Sequence, residues 1–295
     1  MYGVIDIGSN TIRFVLYDVQ DGRIRPMLNK KYTAGLAGYV KKGRMSEKGV
    51  EKLIEVLTEF SDILPYIQIK EIFCLATASL RNVENADEVC SAVKEQCGFN
   101  IIILSGEEEE ALYDYCGAMQ SVNEPAGVVI DIGGGSTEFV FYNENKISKI
   151  LSIPIGSLNS YSTYVKDILP TAKERKDIAS AMDSAISEIF EKSPDVICGV
   201  GGSIRASVKV YNELFPTVQK GRVEISALES LLKVRRDILA KAILKTAPER
   251  IHTFVPGLVL LCTVAKKWDI KELTVSTSGV KEGFLTARLK ERGVL

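Results

Sequence analysis

The chain has one histidine, six cysteines with no C-x-x-C pair, almost no net charge and no long apolar run. Each shortage excludes something. His252 cannot by itself build a Ser-His-Asp triad or a polyhistidine metal cluster, so any hydrolysis has to rest on carboxylates and a metal ion. Its own place, before Thr253-Phe254-Val255-Pro256-Gly257, suits a structural or surface role. Cys74, Cys90, Cys97, Cys116, Cys198 and Cys262 match neither a zinc site nor a disulfide framework, and read as thiols of a reducing cytosol. The longest apolar stretch, Leu258 to Ala265, is far short of the roughly 20 residues that span a bilayer. Asp6 lies inside the first apolar strand with no basic segment before it, which argues against a signal peptide. A cytoplasmic protein without a membrane partner is expected. With 37 basic and 38 acidic residues the net charge is −1, so no bulk field holds nucleic acid or a long polyanion, and a polyphosphate site would have to be a local basic patch. The 295 residues, 46% hydrophobic and 25% charged, suit two globular domains of about 100–200 residues each.

What is present is a near-duplicated phrase. Val4-Ile5-Asp6-Ile7-Gly8-Ser9-Asn10-Thr11 recurs as Val129-Ile130-Asp131-Ile132-Gly133-Gly134-Gly135-Ser136-Thr137. In each copy an apolar strand runs into an Asp-Ile-Gly turn, and a second strand follows (Ile12 to Tyr17, Glu138 to Tyr142). Each reads as a β-hairpin whose tip carries hydroxyls and glycine, where backbone N–H groups can approach an anion closely. The Asp at each strand end supplies a hard oxygen for Mg²⁺. Two such hairpins suggest two similar domains facing one cleft. The pattern is not a Walker A loop, which needs Gly-Lys-Ser/Thr before a helix, nor a dinucleotide fingerprint, since Gly133-Gly134-Gly135 feeds a strand.

Around these phrases the periodicity predicts a helix after Ser46 with apolar Val50, Leu53, Ile54, Leu57 and Phe60, a strand over Ile69 to Ala76, and a helix from Asn85 to near Gly98. Phe99 to Leu104 reads as a strand, and Ser105 as the N-cap of a helix with Glu107 to Glu110 in its first turn. Residues 123–127, Asn-Glu-Pro-Ala-Gly, read as a hinge. The second half repeats the scheme: a third strand from Ile147 to Ile153, a long helix from Ala172 to Lys192, a strand from Val196 to Val200, a Gly-Gly-Ser turn into a helix, a helix from Gly257 to Trp268, and a last helix from Val280.

Five blocks in order carry a resemblance: the two hairpins, Ala76-Thr77-Ala78-Ser79-Leu80-Arg81 with Asn85, Leu104-Ser105-Gly106-Glu107-Glu108-Glu109, Gly199-Val200-Gly201-Gly202-Ser203, and Val275-Ser276 with Gly279-Val280-Lys281-Glu282-Gly283. On these the chain resembles the exopolyphosphatase/guanosine pentaphosphate phosphatase (Ppx/GppA) family, in its short two-domain form, within the actin, sugar kinase and Hsp70 ATPase superfamily. The resemblance implies an α/β fold of two ribonuclease H-like domains, with mixed five-stranded sheets flanked by helices. The domains would be 1–122 plus 284–295 and 123–283. It implies Mg²⁺ (or Mn²⁺), with Asp6, Asp131 and Glu138 as metal carboxylates, and Glu109 and Glu138 as catalytic carboxylates. Glu109 would orient the attacking water, with Glu108 as the alternative. Ser9, Asn10, Thr11, Arg81, Gly134, Gly135, Ser136, Thr137, Gly202 and Ser203 would bind phosphate. The same residues have plainer readings too: Glu107 to Glu110 as a solvated face at a helix N-terminus, Arg81 as a capping arginine, and Gly201 to Ser203 as a simple turn.

The implied reaction is exopolyphosphatase hydrolysis of a terminal phosphoanhydride, with guanosine pentaphosphate 5′-phosphohydrolysis or a weakly active polyphosphate or (p)ppGpp sensor as alternatives, and an acceptor kinase as a further class. A homodimer is compatible with the resemblance. Three departures stand out: Lys281 where the family commonly has Arg, Glu110 where it usually has Ala, and no Arg-Leu pair at Lys31 to Gly35. The chain ends at Leu295 without the C-terminal helical domain of long members, which favours short polyphosphate chains as the expected substrate.

Overall fold

The structure, a computed structural model, describes residues 1–295 apart from 21, 121, 123, 188, 190–195 and 217–220, and leaves aside the side chains of Glu107 and Glu108. The first half runs β1 (Tyr2–Ile7), β2 (Thr11–Gln20), β3 (Arg23–Thr33), a small ladder of β4 (Val40–Lys41) and β5 (Arg44–Met45), α1 (Glu47–Ser61), β6 (Glu71–Ala76), α2 (Ala78–Arg81), α3 (Ala86–Cys97) and β7 (Ile101–Ile103). A π-helical turn, Gly106–Glu110, opens α4 (Ala111–Ala118). The scheme then repeats with β8 (Gly127–Ile132), β9 (Thr137–Asn143), β10 (Lys146–Ile153), α5 (Ser157–Tyr164), α6 (Ala172–Ile186), β11 (Ile197–Val200) and α7 (Gly201–Leu214). It continues with β12 (Arg222–Glu224), α8 (Ile225–Ser230), α9 (Arg236–Thr246), α10 (Phe254–Lys267), β13 (Glu272–Val275) and α11 (Val280–Glu291).

Among the described residues the first sheet has five strands in the order β3-β2-β1-β6-β7, and the second has six, β10-β9-β8-β11-β13-β12. In both, an antiparallel meander continues into parallel strands, so the duplicated phrase marks a duplicated sheet plan. The sixth strand, β12, pairs antiparallel with β13 at the far edge and is too short to show an alternating pattern in the sequence. Side chains alternate across β1: Ile5 and Ile7 join α1 and α3 in one core, while Tyr2 and Val4 meet α11 on the other face. α1 buries Leu53, Leu57 and Phe60 of the stripe its spacing predicts, with Val56 beside them, while Val50 and Ile54 are only partly buried. Gly98 ends α3 in the left-handed conformation at φ 76°. α10 is apolar all round because it lies between the second sheet and α5, α6, α7 and α8.

Two helices exchange sheets. α4 follows the first sheet in the chain, yet its Ala111 and Ala118 pack with Val129, Val140 and Cys198 of the second. α11 follows the second sheet, yet its Phe284, Leu285 and Leu289 pack on the first. Where they cross, Gly117 lies against the Gly279 backbone and Gly283 against the Tyr113 carbonyl, and a Cβ at either glycine would collide with main chain. This contact sets how closely the two sheets approach across the cleft.

Several local expectations change. The helix after Ser105 begins as a π turn, in which Glu110 N–H donates to the Ser105 carbonyl at 2.8 Å. α6 ends at Ile186, with Ser187 as its C-cap, short of the expected end at Lys192; Lys192 itself and Asn123 of the expected hinge lie outside the described residues. The rest of that hinge is tied to the second half, with Asn145 N–H donating to the Pro125 carbonyl at 3.0 Å and Arg222 paired with Glu124. α5, α8 and α9 carry no signal that separates them from loops in the sequence.

Candidate active site

The two hairpin tips face each other across a cleft of about 260 Å³. Each tip is closed by the same bond: Gly8 N–H to the Thr11 carbonyl, and Gly133 N–H to the Ser136 carbonyl, both 3.0 Å. In each, a following loop takes the tip carbonyls. Ala34 and Gly35 donate to the Asn10 carbonyl and Ala37 to that of Ser9. In the second copy Ser157 donates to the Gly133 carbonyl and Leu158 to that of Gly134, both 2.8 Å, while Asn159 Nδ2 donates to that of Gly135 at 2.8 Å. In a planar trans peptide the N–H of the next residue points opposite the carbonyl. The N–H groups of Gly134, Gly135 and Ser136 therefore point away from α5, and those of Asn10 and Thr11 away from the 34–37 loop. The tips also touch: Gly134 and Gly135 lie directly against Ser9, where a Cβ would come within 3.0 and 3.2 Å of its side chain.

Of the residues expected here, Asp6, Ser9, Asn10, Thr11, Asp131, Gly134, Gly135, Ser136 and Gly202 line the cleft. Others do not. The Thr137 hydroxyl is buried and donates to the Ile155 carbonyl at 2.6 Å, because alternation along β9 turns it inward. The Ser203 hydroxyl donates to the Ile132 carbonyl at 2.8 Å and accepts from Arg250 at 3.2 Å, so it braces the tip from behind. Arg81 is held by protein acceptors: its guanidinium donates to the Leu104 carbonyl at 3.2 Å, to Glu110 at 2.5 Å and to Ser136 Oγ at 3.3 Å.

The carboxylates need one correction. Glu109 accepts a bond from its own helix terminus, from Ser105 N–H at 3.0 Å, and does not line the cleft. The π turn absorbs one extra residue and so rotates the next carboxylate inward. Glu110, not Glu109, lines the cleft, bonded to Arg81. Glu138 lies just behind the second tip, 1% exposed, 3.7 Å from Arg81 and accepting from Ser152 Oγ at 3.0 Å. Burial pushes its carboxyl up to about 7, with the Asp131 charge adding to the rise and the Ser136 and Ser152 hydroxyls opposing it. Burial and the Glu138 charge likewise raise Glu110 well above the ordinary carboxylate range, against the Arg81 guanidinium. Asp131 rests on Gly201, whose φ of +82° and missing Cβ make room for the carboxylate. Burial raises its pKa as well, while Arg205 and Lys281 pull it down. Asp6 is paired with Lys281 at 3.1 Å.

The structure adds a wall of cations absent from the residue assignments made on sequence: Arg13, Arg205 and Arg250 line the cleft with Lys281. Two of them had a readable signal. Arg13 lies two residues after Thr11 on β2 and so shares its face, and Arg205 follows Gly201 by one helical turn. Arg250, from a turn at residues 248–250, had none; it lies over Gly202, where a Cβ would displace it. Asp114 also faces the cleft, four residues after Glu110 on the same helix face.

Two mixed sheets built on one plan, with paired hairpin tips set on a shared cleft, define an actin-like α/β fold of two ribonuclease H-like units. The profile of the Ppx/GppA phosphatase family matches residues 15–292. The chain belongs to the Ppx/GppA phosphatase family. It is 26% identical over 296 residues to a guanosine-5′-triphosphate,3′-diphosphate pyrophosphatase of Photobacterium profundum, covering 97% of this chain and 58% of that relative, and thus spans a little over half of the relative's length. The Aquifex aeolicus PPX-GPPA enzyme superposes with a TM-score of 0.78 at 26% identity, over 97% of this chain and 98% of that one. An exopolyphosphatase from Cytophaga hutchinsonii ATCC 33406 superposes with a TM-score of 0.86 at 22% identity, over 98% of both chains, which is a likeness of fold.

Proposed function

We propose that this protein hydrolyses a terminal phosphoanhydride, as an exopolyphosphatase acting on short inorganic polyphosphate. The observation that carries the reading is the pair of hairpin tips closed by the same bond, on a cleft that is also lined by Arg13, Arg205, Arg250 and Lys281 interleaved with carboxylates. Phosphoanhydride cleavage needs positioning and charge neutralisation more than covalent chemistry, and this cleft supplies both. The tips would hold the terminal phosphate, while Arg13, Arg205 and Arg250 would hold the phosphates beyond it. Glu110 would orient the attacking water and accept its proton, with Arg81 fixing its position. The buried Oε2 of Glu138 has no hydrogen-bond partner among the described residues, so it suits a hard cation with Asp131, and with Asp6 acting through water. Bound Mg²⁺ would neutralise phosphate oxygens as charge develops. We assign residues 1–122 with 284–295 and residues 123–283 as the two lobes, closing about the α4–α11 crossing.

A second reading, guanosine pentaphosphate 5′-phosphohydrolysis, is favoured by the name of the curated relative and by a cationic wall that would equally hold a nucleotide's second phosphate group. The test is release of orthophosphate with Mg²⁺ from polyphosphates of short and long chain length and from guanosine pentaphosphate. Preferential release from short polyphosphate supports the first reading and from the nucleotide the second. No release from any of them rejects both.

A further inference from the structure

Among the described residues, Asp114 is a buried carboxylate with neither oxygen hydrogen-bonded. Its side chain lies on α4, 1% exposed, at the floor of the cleft. A buried carboxylate without a partner costs several kcal/mol. Packing gives no reason for it, since the same helix sends alanines into an apolar cluster with Val129 and Cys198. The charged groups that face it are Asp131, Glu110, Glu138, Lys281 and Arg205, three acids against two cations, of which the ammonium is already bonded to Asp6 and the guanidinium donates to the Ser276 carbonyl at 3.1 Å. The Oε2 atom of Glu138 is a further buried acceptor without a partner. Asp114 on the floor and Glu138 behind the second tip thus each present a buried carboxylate oxygen without a hydrogen-bond partner among the described residues.

We propose that Asp114 is an additional ligand for a divalent cation at the floor of the cleft, supplied from α4 beside Asp131 and Glu138. The inference rests on the Mg²⁺-dependent reading above and extends it to a carboxylate outside the hairpins. Among the described residues no three His, Cys, Asp or Glu side chains are arranged to enclose an ion. The remaining ligands are therefore waters and substrate phosphate oxygens, the usual arrangement for Mg²⁺. Because Asp114 and Glu110 share one face of α4, a cation on Asp114 also anchors the helix that presents the water-orienting carboxylate.

The test is calorimetric titration of the full chain with Mn²⁺ alone, without substrate, for wild type, Asp114→Asn and Asp114→Leu, with melting temperature followed in parallel. Both variants are expected to lose about tenfold or more in Mn²⁺ affinity, or one equivalent of bound metal. They are expected to melt at or above the wild-type temperature without metal, yet to gain less from Mn²⁺. Wild-type stoichiometry and affinity in Asp114→Asn, an equal Mn²⁺-induced rise in melting temperature, or no Mn²⁺ binding by wild type would each overturn the assignment. Phosphate release separates the two claims. Wild type that binds Mn²⁺ through Asp114 but releases no phosphate rejects the hydrolase reading and leaves the ligand standing, whereas active protein with unchanged Mn²⁺ binding in the variants rejects the ligand alone.

Discussion

The two hairpin tips are nearly the same object in backbone terms and different objects electrostatically. Both close with a 3.0 Å bond between the glycine N–H and a carbonyl three residues on, and in both the next loop occupies the tip carbonyls. Around the first tip, however, the strand-end carboxylate Asp6 is paired with Lys281. Around the second, Asp131 rests on Gly201 and feels Arg205 and Lys281, while Glu138, Glu110 and Asp114 crowd in from β9 and α4, the first two against Arg81. A duplicated main-chain device thus carries two specialised halves. The first has its strand-end carboxylate paired with a lysine, and the second gathers several buried carboxylates around Arg81 and Arg205, where under the proposed function a cation and a water would act.

The largest test of this asymmetry is Glu110→Gln, expected to lower phosphate release by about 10²- to 10⁴-fold, while Glu109→Gln stays near wild type. Equal losses would return the role to Glu109 and undo the argument from the π turn. Next is Arg250→Ala, which removes a charge-assisted contact worth on the order of 1.5–3 kcal/mol, so the KM for short polyphosphate should rise tenfold or more with a smaller change in kcat. An unchanged KM would take the cationic wall out of substrate binding.

Gly156→Ala strikes the second tip alone, because its Cβ would lie 2.6 Å from the Gly134 and Ser136 backbones. A loss of about 1–3 kcal/mol of stability is expected by denaturant unfolding, with phosphate affinity falling alongside. The pH dependence sharpens the comparison further. Glu138 holds its proton up to about 7 when folded, against an ordinary 4.5. Between those values the folded state binds more protons than the unfolded one, so this group's contribution to stability falls as pH rises through that window. In EDTA the melting temperature should drop less from pH 5 to pH 8 in Glu138→Gln than in wild type; identical drops would remove Glu138 as the source. The smallest expected effect is around the first tip, where Lys281→Ala should cost on the order of 1 kcal/mol and Lys281→Arg almost none.

How far the sequence reached depends on whether a feature is local. Sheet strands, α1, α3 and α10 followed from apolar spacing, because period-2 and 3.6-residue patterns are fixed by strand and helix geometry. The Asp-Ile-Gly turns and their repetition revealed the paired hairpin tips for the same reason, since a tight glycine turn is encoded within a few residues. The spacing alone did not show that Glu110 and not Glu109 lines the cleft. A π turn shifts the helical phase by one residue, and that choice is made by the bonds of Arg81 and Ser105 to opposite sides of the turn. Nor did it bring together Arg13, Arg250, Lys281 and Asp114, which come from β2, the 248–250 turn, α11 and α4. By itself the sequence determined the duplicated backbone plan and the chemistry of its tips. The tertiary structure decided which carboxylates are buried, which are paired and which cations face them, because charge balance in a cleft is set by elements far apart in the chain, and in this fold by two helices that cross to the opposite sheets.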